Sequence, residues 1–190
     1  MSQLDTLGYS LRELTGVVAS LDSSEMDTVS NCAPWTVRRL ASHALNNQLL
    51  WAGMVTGHDL VSPEVAMGAV AYDGDLARYS DEVAGRALAL WETDGVLDAI
   101  HITPLGELPG SVVINFPTID ALAHAWDLAA SVGRPIAFAP AEMAAVSAVV
   151  AATCTDAARD HGLIQPVTAV PDDATETERL MSAAGRAISR

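Results

Sequence analysis

The chain has 190 residues, half of them hydrophobic, with a formal net charge of -14, which is material for one compact core and short of two full domains. That acidic balance argues against nucleic acid and anionic membrane as partners, since both recruit basic faces that displace counterions. All ten basic residues are arginine, so Schiff-base chemistry, a lysine general base and a phosphate-loop lysine are excluded.

The first seven residues lack a basic region and an unbroken apolar run, so the N-terminus does not read as a signal peptide and the chain is expected in the cytoplasm. Leu4, Leu7, Leu11, Leu14, Val18 and Leu21 recur at steps of three and four and predict an amphipathic helix over 3–21. Thr36 caps a second helix over 36–56, with Trp35 and Leu40 placed as a hydrophobic staple. Leu76, Tyr79, Val83, Ala87 and Leu90 give a third helix over 74–92. Two short apolar runs, Ala99–Ile102 and Val112–Ile114, set among Pro104, Gly106, Pro109 and Gly110, read as a small hairpin or irregular excursion. Pro117-Thr118 opens a fourth helix over 118–132, capped by Thr118 and closed by Gly133 and Pro135. Pro140 opens an alanine-rich helix ending near Gly162, and a short helix from Glu176 to Ile188 lies in a C-terminal extension, 163–190.

These seams predict a mostly α chain: an antiparallel four-helix bundle in one domain over 1–190, its helices spanning about 3–162. Leu11, Leu14, Leu40, Tyr79, Val83, Leu122 and Trp126 face inward, and Trp35 and Trp126 have structural roles. Met143–Cys154 is too short to span a bilayer. Cys32 and Cys154 have no metal-ligand spacing and read as packed free thiols.

On the fourth helix, Asp120, His124, Asp127 and Ser131 share a sector of roughly 60° on an otherwise apolar wheel. A solvated face is wider and richer in charge. The strip therefore reads as looking into an internal cavity, where Asp120 and His124, one turn apart, can ligate the same ion. A surface strip with a lone histidine remains open on spacing alone. His43, at the border of the second helix's apolar stripe, is the candidate third ligand or else a hydrogen-bonded bundle histidine, and Asn47 lies one turn further along. His58, His101 and His161 fall in loops or at helix ends and read as solvated or capping residues.

Cys32-Ala33-Pro34-Trp35-Thr36-Val37-Arg38-Arg39-Leu40 leading to His43, the block Asp120-Ala121-Leu122-Ala123-His124-Ala125-Trp126-Asp127-Leu128-Ala129, and the tail from Pro166 to Arg186 together resemble the DinB-like metal-binding proteins, in the actinobacterial branch related to mycothiol-dependent maleylpyruvate isomerase. The resemblance implies a four-helix bundle that holds a divalent metal through His43, Asp120 and His124. Zinc is the expected ion, and nickel or iron suits the same donors. It also implies a small-molecule substrate or thiol as partner, mycothiol among them, and leaves a homodimer open. In the family's isomerase the position of Asp120 carries a carboxylate one methylene longer.

Two classes of function follow. One is a metal-dependent transferase or isomerase acting through a metal-bound low-molecular-weight thiol, with Asp127 orienting His124 and Asn47 facing substrate. The other is a non-catalytic binding protein for a metal or small molecule. No serine sits in an elbow-like context, and there is no glycine-rich phosphate loop.

Overall fold

Short-range polar bonds set most of the helix starts. Ser2 and Asp5 form a reciprocal capping box at the start of α1 (Gln3–Ala19), which satisfies two amide donors that the first turn cannot pair internally. The Thr36 side chain accepts from the Arg39 amide and starts α2 (Val37–Thr56) as the sequence predicts. A single turn, α3 (Pro63–Ala66), precedes α4 (Leu76–Trp91), capped by Asp75. The computed structural model describes residues 1–188; the last two residues of the expected extension lie outside the described part.

The excursion between α4 and the next long helix is a hairpin, but not the predicted one. β1 (Ile100–Thr103) pairs antiparallel with β2 (Gly106–Pro109), with Ile100 opposite Pro109 and Thr103 opposite Gly106. Val112 and Val113 are instead helical, in α5 (Gly110–Val113), and Ile114 follows as its cap. Val113 and Ile114 are fully buried in a cluster with Leu7 and Trp91. Packing there overrides the strand preference of a β-branched run.

The fourth core helix, α6 (Asn115–Ser131), starts three residues before the predicted cap. Pro117 falls in its first turn, where a missing N–H costs nothing because no intrahelical partner exists for it. Thr118 is therefore not a cap: its hydroxyl is buried and donates to the Ile114 carbonyl at 2.7 Å. Gly133, at φ 68°, ends the helix region as expected. The alanine-rich helix is divided into α7 (Met143–Thr153) and α8 (Asp156–Asp160), because Thr155 caps a new start by accepting from the Ala158 amide. The expected last helix is shorter, α9 (Glu176–Ala183), and Gly185 follows at φ 81°.

The result is an antiparallel four-helix bundle in which α1 packs on α4 and α6, and α2 packs on the same two helices. α1 and α2 thus sit on opposite corners. Leu14, Leu40, Val83 and Leu128 fill the centre. A second cluster joins α6 to α7 and α9 around Leu122, Trp126, Val146 and Met181, so the C-terminal extension is part of the packed structure. Of the residues predicted inward, Tyr79 is half-buried and donates its hydroxyl to Asn46 Oδ1 at 2.6 Å; the others are buried. No described helix is long and apolar enough to cross a membrane.

Trp126 is 4% exposed, and its indole N–H has no hydrogen-bond partner among the described residues. Its contribution is packing alone. Trp126→Ala is expected to cost about 3–5 kcal/mol, read as a lower urea midpoint with circular dichroism that still reports helix.

Candidate metal centre

α2 and α6 pack directly against each other, and this contact brings His43 to the Asp120–His124 turn. His43, Asp120 and His124 each offer one donor atom, and these atoms lie within 4.8 Å of one another. The imidazole rings of His43 and His124 meet edge to face, with centroids 5.0 Å apart. His43 and His124 are 7% and 8% exposed.

The ring nitrogens have separate duties. His43 Nδ1 is bound to the Ala66 carbonyl, which leaves Nε2 as the nitrogen that could ligate an ion. His124 Nδ1 lies 3.1 Å from Asp127 Oδ2, while its Nε2 lies 3.4 Å from Asp120 Oδ1. Partners on Nδ1 that fix the ring and free Nε2 are the common support of metal-bound histidines.

The 3.4 Å spacing suits an ion pair and also the edge of a coordination site. A charge-assisted hydrogen bond is about 2.7–2.9 Å. Tetrahedral coordination with metal–nitrogen and metal–oxygen bonds of about 2.0–2.2 Å separates neighbouring donors by about 3.3 Å. The donor chemistry and this spacing both fit a small divalent ion.

Burial disfavours charge on every member of the site, yet the outcomes differ. Burial pushes the His43 pKa down; the His124 and Arg186 charges add to that, and the opposing pull of Asp120 and the Ala66 carbonyl does not reverse it. Burial also works against a charged His124, but the charge and hydrogen bond of Asp120 and the Asp127 hydrogen bond outweigh it and hold the imidazole well above its ordinary value. For Asp120 the upward push of burial is overcome by His124, His43 and the side-chain bond from Asn47. Asp127, despite burial, is held down at about 2 by His124, Arg186 and Asn31. One histidine is thus neutral and the other is flanked by two anions.

Asp120, His124, Asp127 and Ser131 do share one face, as the wheel predicts, and that face is occupied by protein. Asp127 is fully buried. Its Oδ2 meets Cys32 Sγ at 3.3 Å, His124 Nδ1 at 3.1 Å and Arg186 Nε at 3.1 Å, and its Oδ1 accepts from the Asn31 side chain at 3.1 Å. Ser131 Oγ accepts from the Asn31 amide at 2.7 Å and donates to the Asp127 carbonyl. Two grooves, of about 490 and 280 Å³, lie elsewhere, and neither is lined by His43, Asp120 or His124.

The sequence reading missed Cys32, which is a site neighbour and not merely a packed thiol, along with Gln48 and Arg186. Gln48 Nε2 donates to Asp120 Oδ2 at 3.2 Å. At i, i+5 from His43, Gln48 stands about 140° round the helix from it, so no shared-face pattern marked it, and nothing local marked Arg186. His58 is exposed beside Thr56, and His101 bonds the Val96 carbonyl, both away from the centre. His161 is exposed at the end of α8.

Trp35 supports the centre from outside. Its ring meets the His43 ring edge-on at 4.8 Å, and the Arg39 guanidinium lies 5.2 Å from its own centroid. Gly68, at φ 80°, leaves no room for a side chain: a Cβ there would sit 2.9 Å from Trp35 Cζ2. Gly68→Ala combines a left-handed backbone with that clash and is expected to destabilise by about 1–3 kcal/mol, seen as a lower melting temperature.

Comparison with known proteins bears on the family and the fold. The family model described as mycothiol maleylpyruvate isomerase N-terminal domain matches residues 7–129. An uncharacterized protein of Mycobacterium tuberculosis, found in two strains, is 30% identical over 120 residues, 62% of this chain and 60% of the relative. The chain therefore spans about 60% of the length of the curated relatives it matches. The crystal structure of the mycothiol-dependent maleylpyruvate isomerase superposes with a TM-score of 0.60 at 18% identity, covering 78% of this chain and 68% of that one, and a mutant of the same enzyme superposes equally.

Proposed function

The chain belongs to the mycothiol maleylpyruvate isomerase N-terminal domain family, and from that premise we propose that it binds one divalent ion, zinc, through His43, Asp120 and His124 and acts as a cytoplasmic thiol-dependent transferase or isomerase. The observation that carries the metal assignment is the convergence of one donor atom each from His43, Asp120 and His124 within 4.8 Å of one another, with Asp120 Oδ1 and His124 Nε2 3.4 Å apart, close to a coordination edge. Relation to a mycothiol-dependent isomerase supports the thiol. When bound, the ion would supply the positive charge that keeps a low-molecular-weight thiol such as mycothiol in its nucleophilic form.

The protein's own groups have distinct tasks in this reading. Ala66 and Asp127 fix the two imidazoles through Nδ1, Gln48 and Asn47 steady the Asp120 carboxylate, and Trp35 shields His43. A neutral His43 needs no proton removed before it ligates. Nickel or iron would use the same three donors.

Elemental analysis of purified protein followed by a thiol-transfer assay with mycothiol and electrophiles tests the proposal. One equivalent of metal and metal-dependent turnover supports it; no metal bound at stoichiometric zinc overturns it. Tight binding without turnover selects the alternative, a non-catalytic metal or small-molecule binding protein. That alternative draws on the burial of the three donors and on the position of both grooves away from them.

A further inference from the structure

His124 serves a second donor set with its other nitrogen. Cys32, His124 and Asp127 also place one donor atom each within 4.8 Å of the others. The sulfur lies 3.3 Å and the imidazole Nδ1 3.1 Å from the same Asp127 oxygen. With metal–sulfur bonds of about 2.3 Å and metal–nitrogen or metal–oxygen bonds of about 2.0–2.2 Å, the edges of a tetrahedral site are about 3.5 Å for sulfur–oxygen and about 3.3 Å for nitrogen–oxygen. Each contact, now a hydrogen bond, lies about 0.2–0.5 Å inside its edge, so the three groups part slightly to admit an ion.

We propose that Cys32, His124 Nδ1 and Asp127 form a second metal site, specific for thiophilic d¹⁰ ions. A thiolate, an imidazole and a carboxylate are a softer set than two imidazoles and a carboxylate, so cadmium, and zinc in excess, favour it more than nickel or iron do. The site does not depend on His43 or Asp120; it shares the His124 ring with their set, and Asp127, which there holds that ring, is here a ligand.

Charge and protons balance without an outside reactant. A divalent ion entering here displaces the thiol proton of Cys32 and the proton on His124 Nδ1, and thiolate plus Asp127 carboxylate neutralise it. The Arg186 guanidinium, which now neutralises Asp127 at 3.1 Å, is exchanged for the incoming cation. Its side chain is 19% exposed against 1% for Asp127, so it can turn to water while the carboxylate stays buried and paired. Cys32 is half-buried.

The test is cadmium titration of the full chain, reading thiolate-to-cadmium charge-transfer absorption in the ultraviolet. The parent and His43→Ala should show the band at one sulfur per chain, and Cys154→Ser should leave it intact. Cys32→Ser should lose it, and Asp127→Asn should bind cadmium at least about 100-fold more weakly, beyond the loss of a mere outer partner. No band in the parent, or a band that survives Cys32→Ser, overturns the proposal. Cobalt binding by Cys32→Ser reports the His43 set separately: its loss there, with the parent's cadmium band present, counts against the first site alone. Circular dichroism of each variant identifies any that fails to fold, and Asp127→Asn and Cys32→Ser then stand in for each other.

Discussion

His124→Ala should lower zinc affinity by several orders of magnitude, whereas Asp127→Ala should lower it only about 10–100-fold, the usual range for a partner that holds a ligand without touching the ion. The difference follows from which atom faces where: His124 gives Nε2 to the Asp120 side, and Asp127 reaches only Nδ1. His43→Ala and Asp120→Ala should resemble His124→Ala. Isothermal titration with zinc measures all four. Equal affinity in parent, His43→Ala, Asp120→Ala and His124→Ala would remove the metal reading, and the groups would then be a buried hydrogen-bonded cluster. In that event His124→Ala would still cost stability, since it leaves Asp120 and Asp127 without the cation between them.

The second large effect is on pH. In the ion-free protein His124 holds its proton well above the ordinary histidine range, and His43 has already lost its own. Loading the ion therefore releases one proton from His124. Apparent zinc affinity should fall about tenfold for each pH unit below the raised His124 value, in a window whose upper edge lies above pH 6.5. Proton release measured by titration in buffers of different ionisation enthalpy should approach one near neutral pH; a value near zero would contradict the assignment. The stability signs oppose each other. A raised His124 contributes stability that is complete below the unfolded value of 6.5 and is lost as pH rises through its folded value. The lowered Asp127 contributes stability present above the unfolded value of 3.8 and lost as pH falls toward about 2.

What could be read from the sequence was what depends on neighbours along the chain. The Thr36 cap, the αL glycine after α6 and the i, i+4 relation of Asp120 to His124 are set within a few residues, and each stands where expected. Pro117-Thr118 misled because a proline reads equally as a stop before a helix or as a member of its first turn, and only the burial of Ile114 chooses. Val112–Ile114 misled for the related reason that β-branched residues serve a helix when packing demands it. The site's outer partners were illegible for a different cause. Cys32 and Arg186 reach Asp127 across 95 and 59 positions of sequence, and no local pattern carries that information.

Those separations bear on how the molecule assembles. Asp127 gathers strands of chain that are brought together only after α1, α2 and α6 have docked, so the entropy of closing these long loops must be met before the centre exists. Contacts of such long reach are expected to form late in folding, so an ion seated there should leave the folding rate nearly unchanged while slowing unfolding. The centre would thus act as a kinetic lock on a finished bundle and not as a nucleus for it.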